Sequence, residues 1–225
     1  MPTILITGAS SGIGAACARV LACEHRLVLV ARRADRLAAL LAELPGSGHR
    51  SVAADLASDE GIAAAAAAVD GELHALVNNA GIFACAEGAA IDRAHLAGIW
   101  RLNVDAPLLL TAALLPRLAA GGAIVNISSV AAESAFAGCG AYSASKAALE
   151  AWSRCLREEL RPRGVRVCVV APGATATDIW PAGHPADRSR MAAAADVAAA
   201  VRLAIVAPPA ASFDRIQVTP TAGPV

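Results

Sequence analysis

Only seven of the 225 residues are aromatic: three Phe, three Trp and one Tyr. Lysine occurs once among the 19 Lys+Arg residues, as Lys146, and asparagine four times, as Asn78, Asn79, Asn103 and Asn126. Alanine is abundant where these are scarce, which resembles a coding bias, so each scarce residue carries information. Formal net charge is zero and the pI about 6.9, so no basic field marks nucleic acid or an anionic membrane as a partner. The six cysteines (Cys17, Cys23, Cys85, Cys139, Cys155, Cys168) form no C-x-x-C pair and no metal-type spacing with the histidines. Neither a disulfide framework nor a metal site is expected. Most are expected to be buried reduced thiols; Cys139, three residues before the only tyrosine, has by position a claim to line a site. No run of 18 apolar residues is unbroken, and the chain enters a strand-like run at once. Neither a membrane span nor a targeting segment is expected, and the expected location is cytoplasmic. At 56% hydrophobic and 17% charged residues, the composition suits one compact domain across 1–225.

Thr3 to Thr7 is a short β-branched run closed by Gly8-Ala9-Ser10-Ser11-Gly12-Ile13-Gly14, after which Ala15 to Leu21 is helix-forming. Strand, glycine loop and helix make a phosphate-binding context: backbone N–H groups approach a pyrophosphate at the positive end of the helix. Leu27 to Ala31 is a second strand, followed at once by Arg32-Arg33. A carboxylate at this point would grip the ribose hydroxyls of NAD, whereas arginine accepts a 2′-phosphate, so NADP(H) is favoured over NAD(H). Asp35 stands one turn later and suits the helix N-terminus. Further strands are read at Arg50 to Ala54, His74 to Val77, Ala123 to Ile127, Val165 to Val170 and Ser212 to Val218. Helical segments alternate with them: Ser58 to Val69, about Ile91 to Leu118 with a break near Asp105-Ala106-Pro107, about Tyr142 to Leu160, and Ala192 to Ile205. Alternation of this kind predicts an α/β fold with a parallel sheet whose ligands bind beyond the carboxyl ends of the strands. Asp55, with Leu56, and Asn78 lie at such ends and are expected on the cofactor side.

Tyr142 and Lys146 are four apart on a helix and therefore share a face. Random placement would put the sole lysine four residues after the sole tyrosine with a chance on the order of one in two hundred, a guard against an accidental match. A nearby ammonium favours the phenolate, which makes Tyr142 a candidate proton donor or acceptor. Lowering a phenol pKa from about 10 to near 7 requires roughly 4 kcal/mol, and one ammonium about 4 Å away at an effective dielectric near 20 supplies a similar amount before desolvation opposes it. On another face of the same helix Ala144, Ala148, Ala151 and Cys155 are small enough to admit close packing by a second subunit.

Taken together, these motifs resemble the short-chain dehydrogenases/reductases over essentially the whole chain and in the expected order. Gly8 to Gly14 resembles that family's cofactor loop, Asp55 its adenine contact, and Asn78-Asn79-Ala80-Gly81 its strand-four motif. Asn103, Ser129, Tyr142 and Lys146 fall where the family's catalytic tetrad would, and Pro172-Gly173 with Thr175 and Thr177 match its nicotinamide-side turn. The resemblance implies a single Rossmann-type, doubly wound parallel sheet of about seven strands with helices on both faces. It implies hydride exchange between NADP(H) and a small-molecule carbonyl or alcohol substrate, in a homodimer or homotetramer.

The same resemblance assigns the roles. Tyr142 would exchange a proton with the substrate oxygen, Ser129 would hold that oxygen, Lys146 would bind the nicotinamide ribose and depress the Tyr142 pKa, and Asn103 would link the lysine to solvent through a water. Thr175 stands where the family often has Val or Ile. The segment after Thr177 is short, which implies an open or small substrate site, and Ile216 to Thr221 looks like the C-terminus of bacterial NADP-dependent members acting on 3-hydroxy acids and related small alcohols. His184, Arg188 and Arg190 are read as solvated loop charges, with contact to a substrate carboxylate as the alternative. A non-catalytic NADP-binding sensor, an NAD-dependent alcohol dehydrogenase, and an enzyme that retains its cofactor through dehydration or epimerisation are the competing functions.

Overall fold

The computed structural model describes residues 1–180 and 187–223. β1 (Thr3–Thr7) is buried along its whole length. Its side chains alternate between two cores: Ile4 and Ile6 join one, Leu5 the other, as the two-residue period of a strand requires. Around it stand β2 (Arg26–Ala31), β3 (Arg50–Ala53), β4 (Leu73–Asn78), β5 (Leu118–Ile127), β6 (Arg166–Pro172) and β9 (Arg215–Val218), all parallel, in the order β3-β2-β1-β4-β5-β6-β9. This is the doubly wound sheet of seven strands expected. A separate pair, β7 (Thr175–Ala176) and β8 (Ala192–Ala193), follows the turn after β6.

One helical layer contains α1 (Gly12–Leu21), α2 (Ala34–Glu43) and α7 (Ala194–Ile205). The other contains α3 (Asp59–Ala67), α5 (Ala106–Leu114) and α6 (Gly140–Leu160), with α4 (Arg93–Trp100) leading into α5. Local chemistry sets several ends: the Ser58 hydroxyl accepts the Gly61 N–H at 3.1 Å, and the Asp92 carboxylate accepts the His95 N–H at 2.7 Å, each satisfying an N-terminal amide left over by the helix. The stretch Arg93–Arg117 is, by length and composition, apolar enough to cross a bilayer. Here it packs on the sheet, burying Ile99, Leu110 and Leu114. It is interrupted where the sequence predicts a break, by a π-helical turn over Arg101–Asp105.

Strand order reverses between β1 and β4, which opens a crevice at the carboxyl ends of these strands. Thr7 and Asn79 lock its floor. The Thr7 hydroxyl donates to the Val77 carbonyl and accepts the N–H groups of Asn79 and Ala80, while the Asn79 amide donates to the carbonyls of Thr7 and Gly8.

Asn78 faces away from that crevice. Its amide donates to Thr111 and Asn126, and Asn126 in turn donates to Ser153. These residues are a buried cross-link between the sheet and the α5–α6 layer, so the expectation that Asn78 belongs to the cofactor side is corrected. Side chains alternate along a strand, and Asn78 takes the face opposite its neighbour.

Candidate active site

Two adjoining cavities open along the crevice, sharing Ile13, Asn79, Gly81, Ile82, Phe83, Thr177 and Ile179. The first, about 360 Å³, runs over the glycine loop to the end of β2. Gly8, Ser10, Ser11, Gly12, Ile13, Arg32, Arg33, Asp55, Leu56, Asn79, Ala80 and Gly81 line it, as their motif positions anticipate. Gly8 has a φ of 64°, open to glycine alone at little cost. Gly14 does not line the cavity. A Cβ there would lie 2.4 Å from the Gly8 carbonyl oxygen, so this glycine serves the contact of helix α1 with the loop. Asp55 is held at the cavity edge by the turn before α3, its carboxylate accepting the Ala57 N–H at 3.1 Å.

Arg33 reaches back across the loop. Its guanidinium donates to the Ser10 hydroxyl at 2.9 and 3.1 Å and to the Ser11 hydroxyl at 2.7 Å. Arginine donors and two hydroxyls thus converge beside Arg32 at the end of β2, the donor set that suits a phosphate. Arg36, one turn on, is instead engaged by Asp178 at 3.0 Å.

The second cavity, about 730 Å³, contains Ser129, Tyr142 and Lys146, together with Pro172, Gly173, Thr175 and Thr177. β5 delivers Ser129 just past its carboxyl end, and α6 carries Tyr142 and Lys146 on its inward face. The Ser129 hydroxyl accepts the Ala131 N–H at 3.1 Å and lines the same cavity as the Tyr142 phenol. Lys146 is 5% exposed and donates to the Ile127 carbonyl at 2.9 Å.

Asn103 lies in the π-helical turn, where the local widening carries its side chain to the loop after β4. Its amide oxygen accepts the Ile82 N–H at 2.9 Å, and its nitrogen donates to the Ile82 carbonyl and to Ser145. A Cβ on Gly81 would meet the Asn103 oxygen at 3.1 Å and the Lys146 nitrogen at 3.5 Å, so the two side chains converge at that glycine.

Burial dominates the protonation of the pair. It pushes the Tyr142 phenol above its ordinary pKa, against a smaller lowering by the Ser129 hydroxyl. It brings the Lys146 ammonium down to about 8, while the charge of Glu150, one helical turn further on, works in the opposite sense. Glu150 is itself buried and paired with Arg215 at 3.3 Å. The Lys146 nitrogen is 5.9 Å from the centre of the Tyr142 ring. The expected depression of the phenol pKa by Lys146 is corrected: in the folded protein desolvation sets the direction, and it is upward.

A family model described as short chain dehydrogenase matches residues 2–187. The chain belongs to that family. A short-chain dehydrogenase from Burkholderia cenocepacia, crystallised in complex with NADP, superposes with a TM-score of 0.89 at 33% identity, covering 98% of this chain and 97% of that one. An uncharacterised oxidoreductase of Mycobacterium tuberculosis is 38% identical over 96% of this chain and 90% of its own length. The sulfoacetaldehyde reductase of Chromohalobacter salexigens is 35% identical over 97% and 93%.

As a short-chain dehydrogenase, the protein has site features that its motifs do not reveal. Cys85 and Cys139 are joined as a disulfide, which corrects the expectation of no disulfide, and of the free thiols Cys17 and Cys168 are buried while Cys23 and Cys155 are exposed. The bridge ties the loop after β4 to the residue before α6, where the Ala86 N–H also donates to the Gly138 carbonyl at 2.8 Å. Fifty-four residues separate the two cysteines, and no local spacing could have paired them. Cys139 does line the cavity. Cys17 and Cys168 are buried thiols pushed up to about 12 by desolvation.

Phe83 and Trp180 also line the cavity without belonging to any motif. Their scarcity was the available signal. Arg188 and Arg190 are exposed and are not among the lining residues, and Arg190 donates to the Ala222 carbonyl. His184 lies outside the described residues.

Proposed function

We propose that the protein is an NADP(H)-dependent oxidoreductase interconverting a small carbonyl compound and its alcohol. The observation that carries this reading is the convergence of Ser129, Tyr142 and Lys146 in a cavity continuous with the glycine-loop crevice. The crevice fits a dinucleotide: side chains at Gly8 and Gly14 would fill it or collide with its floor, and the loop amides and the α1 N-terminus suit a pyrophosphate. In this reading Asp55 and Leu56 border the adenine, and Arg32 and Arg33 with Ser10 and Ser11 take the 2′-phosphate. Pro172, Gly173, Thr175 and Thr177 border the nicotinamide, and Lys146 holds its ribose. NADP(H), when bound, supplies or accepts the hydride.

The chain's own residues manage the oxygen and the proton. During reduction the protonated Tyr142 donates to the developing alkoxide, and its raised pKa keeps that proton in place until negative charge appears. Ser129 donates a hydrogen bond to the same oxygen. Lys146, still protonated below about pH 8, favours charge separation at the phenol. Asn103 fixes the loop that meets Lys146 at Gly81. For oxidation the proton runs the other way, from alcohol to tyrosinate.

A water bridging Asn103 to Lys146 is part of this proposal, as is a cytoplasmic location. We also propose a homodimer or homotetramer, because Ala144, Ala151 and Cys155 form an exposed small-residue face on α6, and Leu109 and Trp100 are exposed large apolar side chains.

The reading is tested by following NADPH absorbance against a panel of aldehydes and ketones. Consumption with stoichiometric alcohol supports it; tight NADPH binding with no turnover across the panel favours a cofactor sensor instead.

A further inference from the structure

Four of the chain's seven aromatic residues line one cavity: Phe83, Phe136, Tyr142 and Trp180. A chain that uses aromatics so sparingly concentrates them where the substrate would stand. They are held in mutual contact. The Phe83 ring meets Tyr142 edge-on, with centroids 5.0 Å apart and planes at 83°, and meets Trp180 at 5.1 Å and 61°, both favourable aromatic geometries. The Trp180 indole donates to the Thr175 carbonyl at 2.8 Å, and the Cys85–Cys139 bridge lies two residues beyond Phe83. The wall is therefore fixed before any ligand arrives, which reduces the ordering cost of binding. At its rim Phe136 and Ile179 are 44% and 42% exposed.

Charge is distributed the other way. Among the described residues that line this cavity, Lys146 is the only charged one, and its ammonium is committed to the Ile127 carbonyl. A substrate carboxylate or sulfonate against Phe83 and Trp180 would lose water and gain no counter-charge from the described residues that line the cavity.

We propose that Phe83 and Trp180 are specificity-determining residues that select an uncharged carbonyl compound bearing an aryl or comparably bulky apolar group, and reject anionic substrates. This rests on the oxidoreductase reading above and goes beyond it in naming the substrate class. It sets the chain apart from the C-terminal likeness to enzymes of 3-hydroxy acids, and from the sulfonate in the name of the Chromohalobacter relative.

The test uses the whole protein with NADPH and three matched aldehydes: benzaldehyde, methyl 4-formylbenzoate and 4-carboxybenzaldehyde. The ester controls for size, so that only charge separates it from the acid. Both neutral aldehydes are expected to exceed the acid in kcat/KM by about tenfold or more. Equal or reversed efficiencies overturn the inference, while the consumed NADPH leaves the oxidoreductase reading standing. Trp180→Ala is expected to raise the KM for benzaldehyde about tenfold with kcat within about threefold, and Trp180→Phe to restore most of the loss. An unchanged KM in Trp180→Ala overturns the assignment of that residue.

If none of the three aldehydes is reduced, calorimetric titration of the NADPH-loaded protein with benzyl alcohol and 4-carboxybenzyl alcohol distinguishes the two failures. Saturable binding of the neutral alcohol alone keeps the specificity wall and discards the reaction. Absence of binding overturns the wall as well.

Discussion

The two ends of the crevice are built from different materials. Around β1 and α1 the surface is backbone: glycines at 8 and 12 bring amides and carbonyls to the cavity, Gly14 lets α1 pack against the loop, and side chains contribute mainly through Arg33 and the serines it holds. Around β5 and α6 it is side chain: Ser129, Tyr142 and Lys146 present a hydroxyl, a phenol and an ammonium from two elements that pack together. A backbone site tolerates almost no added volume yet asks little of protonation. A side-chain site can lose an atom and keep its shape, but its chemistry depends on which groups are desolvated. Each end should therefore fail in its own way.

The widest separation is expected for Tyr142→Phe. Removing one oxygen should leave NADPH affinity within about threefold and lower turnover by three orders of magnitude or more, as loss of a proton donor acting in the transition state does. Fluorescence titration and steady-state kinetics on the same sample measure both. Near-native turnover would sink the assignment of that phenol.

Gly14→Ala is the counterpart at the other end. Its methyl would lie 2.4 Å from a carbonyl oxygen of the loop, so a loss of about 3 kcal/mol of stability is expected in urea unfolding, with NADPH binding weakened alongside. Native stability and affinity would show that the loop and α1 separate easily.

Arg33→Ala acts on the same end without touching its backbone. We expect NADPH affinity to fall by about ten- to a hundredfold and NADH affinity to hold, because only the former carries the 2′-phosphate. Parallel losses for both cofactors would move Arg33 from phosphate recognition to loop support.

The smallest effect is the most informative about the side-chain end. Burial lowers the Lys146 pKa from 10.5 to about 8, so keeping it charged at pH 7 costs the folded state about 3 kcal/mol. Its native pKa lies below the unfolded value, so between pH 8 and 10.5 the unfolded chain holds more protons and this contribution to stability rises with pH. Tyr142, shifted upward, works in the opposite direction only above its ordinary pKa of 10. Lys146→Met is accordingly expected to gain about 1–3 kcal/mol at pH 7, with the gain shrinking across that window, while activity collapses. A destabilised Lys146→Met at pH 7 would mean that the Glu150 and Ile127 contacts outweigh desolvation.

Legibility followed the same division. The glycine loop could be read because its constraint is local: strand, turn and helix follow one another within twenty residues, and each glycine answers a steric demand along the chain. Tyr142 and Lys146 could be read because helical periodicity alone puts them on one face and nothing else in the chain duplicates them. Asn103 was locatable by rarity, but its use of a π-helical turn was not, since that turn packs against α6, more than forty residues further along the chain. Asn78 misled for a related reason. A strand end says that a residue is near the crevice, and only the pleat of the packed sheet says which face it takes.

By itself, the sequence determined the alternation of strands and helices, the parallel sheet, the glycine loop, and which groups are the candidates to move a proton. Periodicity, glycine sterics and residue chemistry act over a few neighbours and survive translation into one dimension. The tertiary structure alone decided that Cys85 meets Cys139, that Phe83 and Trp180 share a wall with Tyr142, and that burial raises the phenol where charge alone would lower it. Those outcomes join segments many tens of residues apart and depend on how much water is excluded between them, a quantity that exists only once the layers have closed.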